Sequence, residues 1–430
     1  MTLFVIRLAS AQFAVEGGNK NPYLAVDDTK NKLQVYLLSD MSNVRITYTS
    51  SGDEVHQWYK YRDKALEATP ISCVQNGNES YITDVADGYG YFVGSPTDPK
   101  TRYVWVIDYS LYVPQLLSLK ITDEEFQCES LKLGAEVVAE PVYYYLPVGV
   151  SVNLERTYHL QYNTLEWDEE NLAFFPKAID QPLTGALAEI SIDAAPLTNT
   201  QFTLVGDDFS EQFGLGQSVQ TPEYQAVAIE AHSTAVTNKE FAENEKQTSN
   251  AELGGSAPIE YMFTAYANEP VAAHYIWKVF ELDSITNTYN PIVRYPEKVL
   301  NYTFERWGSY YVQLEVINSK SVCSDTSRIH TVGISNTFVY IPNAFSPGSS
   351  IGVNDVYKIS FSSITSFRAS IFNRQGNLLY QWNDPSGGWD GRVNGKFVST
   401  GVYYIIVEYT DSQGKKQSKS RDINILRSNK

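Results

Sequence analysis

The segment Ser366–Trp382, SFRASIFNRQGNLLYQW, alternates apolar and polar side chains, turns, and runs on as a second apolar stretch. Phe367, Ala369 and Ile371 fall on one face of an extended strand, because successive side chains point to opposite sides. Asn373-Arg374-Gln375-Gly376 is a turn in which glycine is free to take positive φ. Leu-Leu-Tyr-Gln-Trp then returns as the next strand, so the segment reads as a β-hairpin. The same pattern continues downstream. Trp389-Asp390-Gly391 and Asn394-Gly395 are further turn signals. Gly401 launches VYYIIVEYT, a long strand with both faces apolar enough to be covered. Ile423 and Ile425 share a face of a final strand. Upstream, Ile341–Ser360 (IPNAFSPGSSIGVNDVYKIS) is dense in Pro, Gly, Asn and Ser and forms the opening loop of this last domain.

The rest of the chain repeats the rhythm of short strands and turn clusters. KLQVYLLS, VRITYTS, VHQWYKYR, SYITDVA, GYFVGS and RYVWVIDYS precede Leu119, with Trp58 and Trp105 expected in a core. EVVAEPVYYYLPVGVSVNLERTYHLQYN and AEISIDAAPLTNTQFTLVGDDF supply the strands of a second segment. Thr237–Pro258 is polar, charged and poor in apolar residues, which reads as a linker or exposed turn and hence a domain boundary. Beyond it, Gly308–Val316 alternates cleanly, with Tyr310, Val312, Leu314 and Val316 on one face. No stretch keeps a helical period over three turns. The expected fold is all-β, a tandem of immunoglobulin-like β-sandwich domains. The expected divisions are a signal-peptide remnant at 1–11, sandwiches at 12–119 and 120–245, an immunoglobulin-like domain at 246–335, and a C-terminal domain at 336–430.

The net charge of −17 argues against nucleic acid as a partner. The charge is uneven. Residues 336–430 hold 11 Lys+Arg against 6 Asp+Glu, a net of +5, so the remainder carries −22. Ala9-Ser10-Ala11 after an apolar run fits a signal-peptide cleavage pattern, with Gln12 as the mature N-terminus. No segment has the ~18 apolar residues of a membrane helix, so no direct membrane span is expected. Among Cys73, Cys128 and Cys323, the expected disulfide is Cys73–Cys128, leaving Cys323 over. Glu166, Asp168, Glu169 and Glu170, and Asp207 and Asp208, fit no calcium loop and read as solvated turns.

Two resemblances follow from these residues. Trp277-Lys278-Val279-Phe280, Tyr302-Thr303-Phe304 and the strand Gly308–Val316 resemble the polycystic-kidney-disease-type (PKD) immunoglobulin-like family, whose domains act as spacers or interaction modules. The last domain resembles the gliding-motility-associated, type B C-terminal sorting domain of Bacteroidetes type IX secretion cargo. Pro342, Asn343, Phe345, Pro347, Asn354 and Asp355 match the family's opening loop. Ile371, Phe372, Asn373, Arg374 and Gly376 match its hairpin. Trp389, Asp390, Gly391, Asn394, Gly395, Lys396, Gly401, Val402, Tyr403 and Tyr404 match its centre. Ile425, Leu426 and Arg427 match its end. The opening loop departs from the pattern, since Gly348–Gly352 is one residue longer and lacks the family's Asp. Gln375 stands where the family carries Trp.

The sorting resemblance implies export through the type IX translocon and retention at the outer membrane or cell surface. The implied partner is an outer-membrane barrel of the PorP/SprF family, with periplasmic machine components as further candidates. Of these positions, Pro342, Asn343, Phe345, Pro347, Asn354, Asp355, Phe372, Asn373, Arg374, Gly376, Trp389, Asp390, Gly391, Asn394, Gly395, Gly401, Tyr403 and Arg427 are the expected sorting and docking residues. Asp283-Ser284-Ile285 fits the Asp-Ser/Thr-apolar pattern of Bacteroidetes O-glycosylation, with Ser284 as the acceptor.

No H-E-x-x-H, P-loop or dinucleotide fingerprint occurs, and His56, His159, His232, His274 and His330 are not spaced as metal ligands. No enzyme, cofactor or metal is expected. Three functions fit: a surface-retained binding protein, an accessory subunit of the type IX secretion or gliding machinery, and a carbohydrate-binding protein or glycoside hydrolase. A catalytic carboxylate pair is defined by its folded separation and is not legible in a sequence.

Overall fold

The computed structural model describes residues 12–122, 128–247, 251–349, 352 and 354–427. The expected signal-peptide remnant at 1–11 lies outside them. The chain is all-β and divides into two compact units. One runs to Glu166 and resumes over Phe175–Ala226, and the other comprises Trp167–Phe174 and Val227 onward.

The first unit opens with two sheets. Gln12–Glu16, Arg45–Thr49, Glu79–Ile82 and Val74–Asn76 form one. Tyr23–Asp28, Leu33–Leu38, Tyr103–Asp108, Tyr89–Val93, Trp58–Tyr61 and Thr69–Ile71 form the other. Tyr103–Asp108 is buried on both faces, which explains its near-continuous apolar run. Trp58 and Trp105 are both in the core, as their sequence context suggests.

The second sandwich pairs Gln115–Ile121, Leu131–Val138 and Ile190–Ile192 against Ala173–Thr184, Thr157–Asp168, Thr203–Val205 and Ser218–Gln220. Leu131, Leu133, Leu160, Phe202 and Leu204 fill it. Its boundary with the first is not clean. Val142, Tyr144, Leu154 and Phe213 pack into the core around Trp105. Asp207 caps the short helix Asp208–Phe213 by accepting from the Ser210 amide. The same carboxylate is fully buried, pairs with Arg156 Nε at 3.2 Å and accepts from the Tyr109 hydroxyl at 2.6 Å. Asp207 is thus not the solvated turn residue expected from its acidic neighbourhood.

In the second unit, Ala231–Val236, Ile259–Ala267 and Val299–Phe304 form one sheet of an immunoglobulin-like sandwich. Leu253–Gly255, His330–Ile334, Gly308–Asn318, Ala272–Asp283 and Thr288–Tyr295 form the other. Trp277, Phe263, Val312, Leu314 and Val316 are fully buried between them. Because Ala231–Val236 pairs with Ile259–Ala267, this domain begins near Val227 and not at 246.

The last domain has a five-stranded sheet in the order Ala344–Phe345, Lys416–Ile425, Gly401–Asp411, Ile364–Phe372, Leu378–Trp382. Phe338–Tyr340 pairs with Ser360–Ser362, and Arg392–Val393 with Lys396–Phe397. Phe345, Tyr357, Phe367, Trp389, Ile405 and Ile423 lie in its core.

The cysteine expectation is overturned. Cys73 is a free thiol, whereas Cys128 and Cys323 are the disulfide-bonded cysteines. Cys73 is spent on packing beside the Trp58 core and on a contact with the His56 carbonyl.

Candidate functional site

The expected docking residues of the last domain separate into two groups. Phe345, Pro347, Trp389, Gly391 and Tyr403 are buried within the domain. Trp389 exchanges backbone hydrogen bonds with Tyr357 and donates from Nε1 to the Arg392 carbonyl at 3.0 Å. Phe345 lies 5.5 Å from its ring. Gly391 has φ +77°, and a Cβ there would stand 2.7 Å from Pro347. That close approach requires glycine. Pro342 is half-buried, its carbonyl accepting from the Tyr357 hydroxyl.

Asn343, Asn354, Arg374, Gly376, Asp390, Asn394, Gly395 and Gly401 are exposed, and Phe372, Asn373, Asp355 and Arg427 are partly so. Most of these shape turns. Asn373 Oδ1 accepts from the Gln375 and Asn377 amides. Asn394 and Gly395 both take positive φ in the tight hairpin. Asp390 accepts from the Arg392 amide. Asp355 closes the opening loop by accepting from the Gly348 amide at 3.1 Å and the Gly352 amide at 2.6 Å. The loop thus has a carboxylate cap of its own, although the family's other Asp is missing. Gln375, where the family has Trp, is exposed on the turn. The replacement therefore alters surface rather than core. Arg427 donates to the Val398 carbonyl at 2.7 Å and lies over the Phe397 ring.

The long strand Gly401–Asp411 is covered on one face only, which corrects the expectation of two covered faces. Tyr403, Ile405, Val407 and Tyr409 are buried, while Tyr404 and Ile406 are 46% and 39% exposed. Tyr404 pairs across the sheet with Phe372, which in turn pairs with Leu378, 52% exposed. The result is an apolar row across the outer sheet face. The period-2 pattern left it ambiguous, because Tyr404 and Ile406 are as apolar as the residues they alternate with.

His56, His330 and His159 each have partners of their own. His56 bridges Ser80 Oγ at 2.7 Å and Ser50 Oγ at 2.9 Å, but all three are buried. His330 is buried against Ser233. His159 is held between Asp180 at 2.6 Å and Asp208 at 3.0 Å. The Asp180 hydrogen bond, assisted by Asp208, holds its pKa above the ordinary value despite partial burial. Among the described residues, no group of three or more His, Cys, Asp and Glu is placed to hold a metal ion. Nor is any helix there long and apolar enough to cross a membrane.

A groove of about 820 Å³ lies in the second unit, lined by Glu281, Asp283, Asn290, Arg306 and Trp307. Trp307 is 41% exposed. Ser284 is exposed on its rim, and its neighbour Ile285 is 92% exposed.

The fold defines a class, all-β tandem immunoglobulin-like proteins, and family comparison defines two of its domains. Residues 120–221 match the fibronectin type III domain. Residues 339–423 match the CHU_C type IX secretion signal domain. Residues 339–423 thus carry a type B type IX secretion signal, which supports secretion as a cargo of that system and implies export and association with the cell surface. No curated protein matches the sequence. Among solved structures, the chain aligns with activated Escherichia coli alpha-2-macroglobulin at 8% identity and TM-score 0.18, over 97% of this chain and 44% of that one. It spans less than half that protein's length. It also aligns with a Ca²⁺-stabilised ice-binding adhesin of an Antarctic bacterium at 12% identity and TM-score 0.21, over 98% and 99% of the two chains. TM-scores of this size define no shared overall fold.

Proposed function

We propose that this protein is a non-catalytic binding protein that the type IX translocon exports and a PorP/SprF-type barrel retains at the outer membrane. The observation that carries the reading is the secretion-signal match over 339–423. The apolar row of Phe372, Leu378, Tyr404 and Ile406 supports docking, since an uncovered apolar patch on a folded surface favours a partner. The basic charge of this domain against an acidic remainder supports a division of labour between docking and body. The immunoglobulin-like domain from Val227 to Ser335, PKD-like in its strand motifs, serves as a spacer, and the first unit carries ligand recognition.

Crosslinking on intact cells followed by purification of the full chain tests this reading. Recovery of a barrel of this type with the wild type, and its loss with Tyr404→Ser/Ile406→Ser, is expected. Recovery of periplasmic machine components in fixed proportion would instead assign the chain to the secretion or gliding machinery. Recovery of neither overturns both.

Carbohydrate binding is favoured by one observation, the groove at Trp307. An exposed indole face beside planar Asn290 and Arg306 side chains and the carboxylates of Glu281 and Asp283 suits a sugar ring. Glycan binding by the wild type that Trp307→Ala abolishes supports this second reading, and a blank glycan array removes it. A mass shift on the peptide containing Ser284 tests the glycosylation expectation.

A further inference from the structure

Residues Lys239–Lys246, KEFAENEK, lie outside the matched signal span of 339–423, yet they build one side of that domain. The Phe361 amide donates to Asn244 O at 3.1 Å, and the Lys246 amide donates to Phe361 O at 2.7 Å. Glu245 thereby forms a parallel bridge with Phe361. The Asn244 side chain, in a residue only 6% exposed, donates from Nδ2 to the Ile359 and Pro385 carbonyls, both at 2.8 Å. Buried carbonyls need such donors, so Asn244 fixes two loops of the signal domain at once.

The same segment is anchored in the preceding domain. Lys239 Nζ pairs with Glu245 at 2.9 Å and donates to the Ser256 carbonyl at 2.8 Å. A second tie joins the two domains at Ser363, whose amide donates to Ser256 Oγ at 2.6 Å and whose hydroxyl donates to the Ser335 carbonyl. The Ala257 amide donates to Ser363 Oγ at 3.0 Å.

The segment also walls a cleft of about 360 Å³. Glu243 and Lys246 stand on one side, with Asn354, Asp355 and Val356 of the opening loop on the other. Glu243 pairs with Lys358 at 2.8 Å. A mouth of interspersed carboxylates and ammonium groups around Val356 fits a charged protein loop better than a lipid or an apolar helix.

We infer that the secretion signal is composite. Asn244 is a positioning residue for it, Lys246 helps line the surface that a charged loop of the export machinery reads, and the recognised module starts at Lys239. This rests on residues 339–423 being the export signal. Because Ser256 and Ser335 belong to the preceding domain, the signal is complete only when that domain has folded.

The test uses the full chain in its own secreting cells, comparing the wild type with Asn244→Ala and Lys246→Glu. For Asn244→Ala, the Phe361 and Lys246 amides should exchange about tenfold faster with solvent, while Trp105 in the first unit is unchanged. Its secreted fraction should fall several-fold. Lys246→Glu should leave exchange at the wild-type level and still lower secretion. Wild-type secretion of Asn244→Ala overturns the positioning role, and wild-type secretion of Lys246→Glu overturns the lining role. If Asn244→Ala does not fold, Lys246→Glu carries the test alone. A chain ending at Ser335 separates this failure from the larger one, since its secretion would refute the signal itself.

Discussion

Asp207 carries a buried charge whose partners are Arg156, Tyr109 and the first turn of a helix. Removing one partner of a buried pair strands the other without solvent. Asp207→Ala should therefore cost about 3–5 kcal/mol in denaturant unfolding, whereas Tyr109→Phe, which deletes one hydroxyl, should cost about 1 kcal/mol. His159 gives a pH prediction of known sign. Its folded pKa is raised by Asp180 and Asp208 above the reference of about 6.5. Its contribution to stability is fully present below about pH 6.5 and is lost as pH rises through the folded value. A ring-proton titration should place the pKa above that of a model histidine, and His159→Gln should flatten the stability slope on that side of neutrality. An unshifted titration contradicts the geometry. Neither site was legible in the sequence. Asp207 and Asp208 stand side by side, yet one is buried and the other faces His159, because Tyr109 and His159 reach them from 98 and 49 residues away. Trp58 and Trp105 were legible, since a large aromatic among alternating strand residues has few alternatives to a core.

Hairpins were legible for the same local reason. Asn373–Gly376 and Asn394-Gly395 declare turns by side-chain chemistry alone, and both occur where expected. Strand facing was less so. In Gly401–Asp411, Ile405 is fully buried and Ile406 is 39% exposed, although the two residues are chemically identical. Ile405→Ala should cost about 2–5 kcal/mol, while Ile406→Ala should stay within about 0.5 kcal/mol. Equal losses in thermal unfolding would mean that the outer face is covered after all. In the polar segment Thr237–Pro258, composition reports what a stretch cannot bury, not where its amides find partners. Asn244 finds them at Ile359 and Pro385, 115 and 141 residues on.

At the scale of the molecule, the all-β tandem architecture followed from the rhythm of short strands and from the clean alternation at Gly308–Val316. The domain divisions did not, since Ala231–Val236 joins a sheet whose other strands lie beyond the polar segment, and Val142, Tyr144 and Phe213 complete the core of the sandwich before their own. Alkylation of the denatured, unreduced protein should label Cys73 alone, and labelling at Cys128 or Cys323 would contradict the assignment. The signal domain was the most legible part, because its motifs fall in order within the last fifth of the chain, and its loop, hairpin and central motifs lie inside the match over 339–423. The central claim is that this domain governs export. Surface labelling of intact cells that express either the full chain or a chain ending at Ser335 tests it most directly. The full chain should be labelled and the shortened one should remain inside, detectable only after lysis. Equal labelling of both would contradict the account.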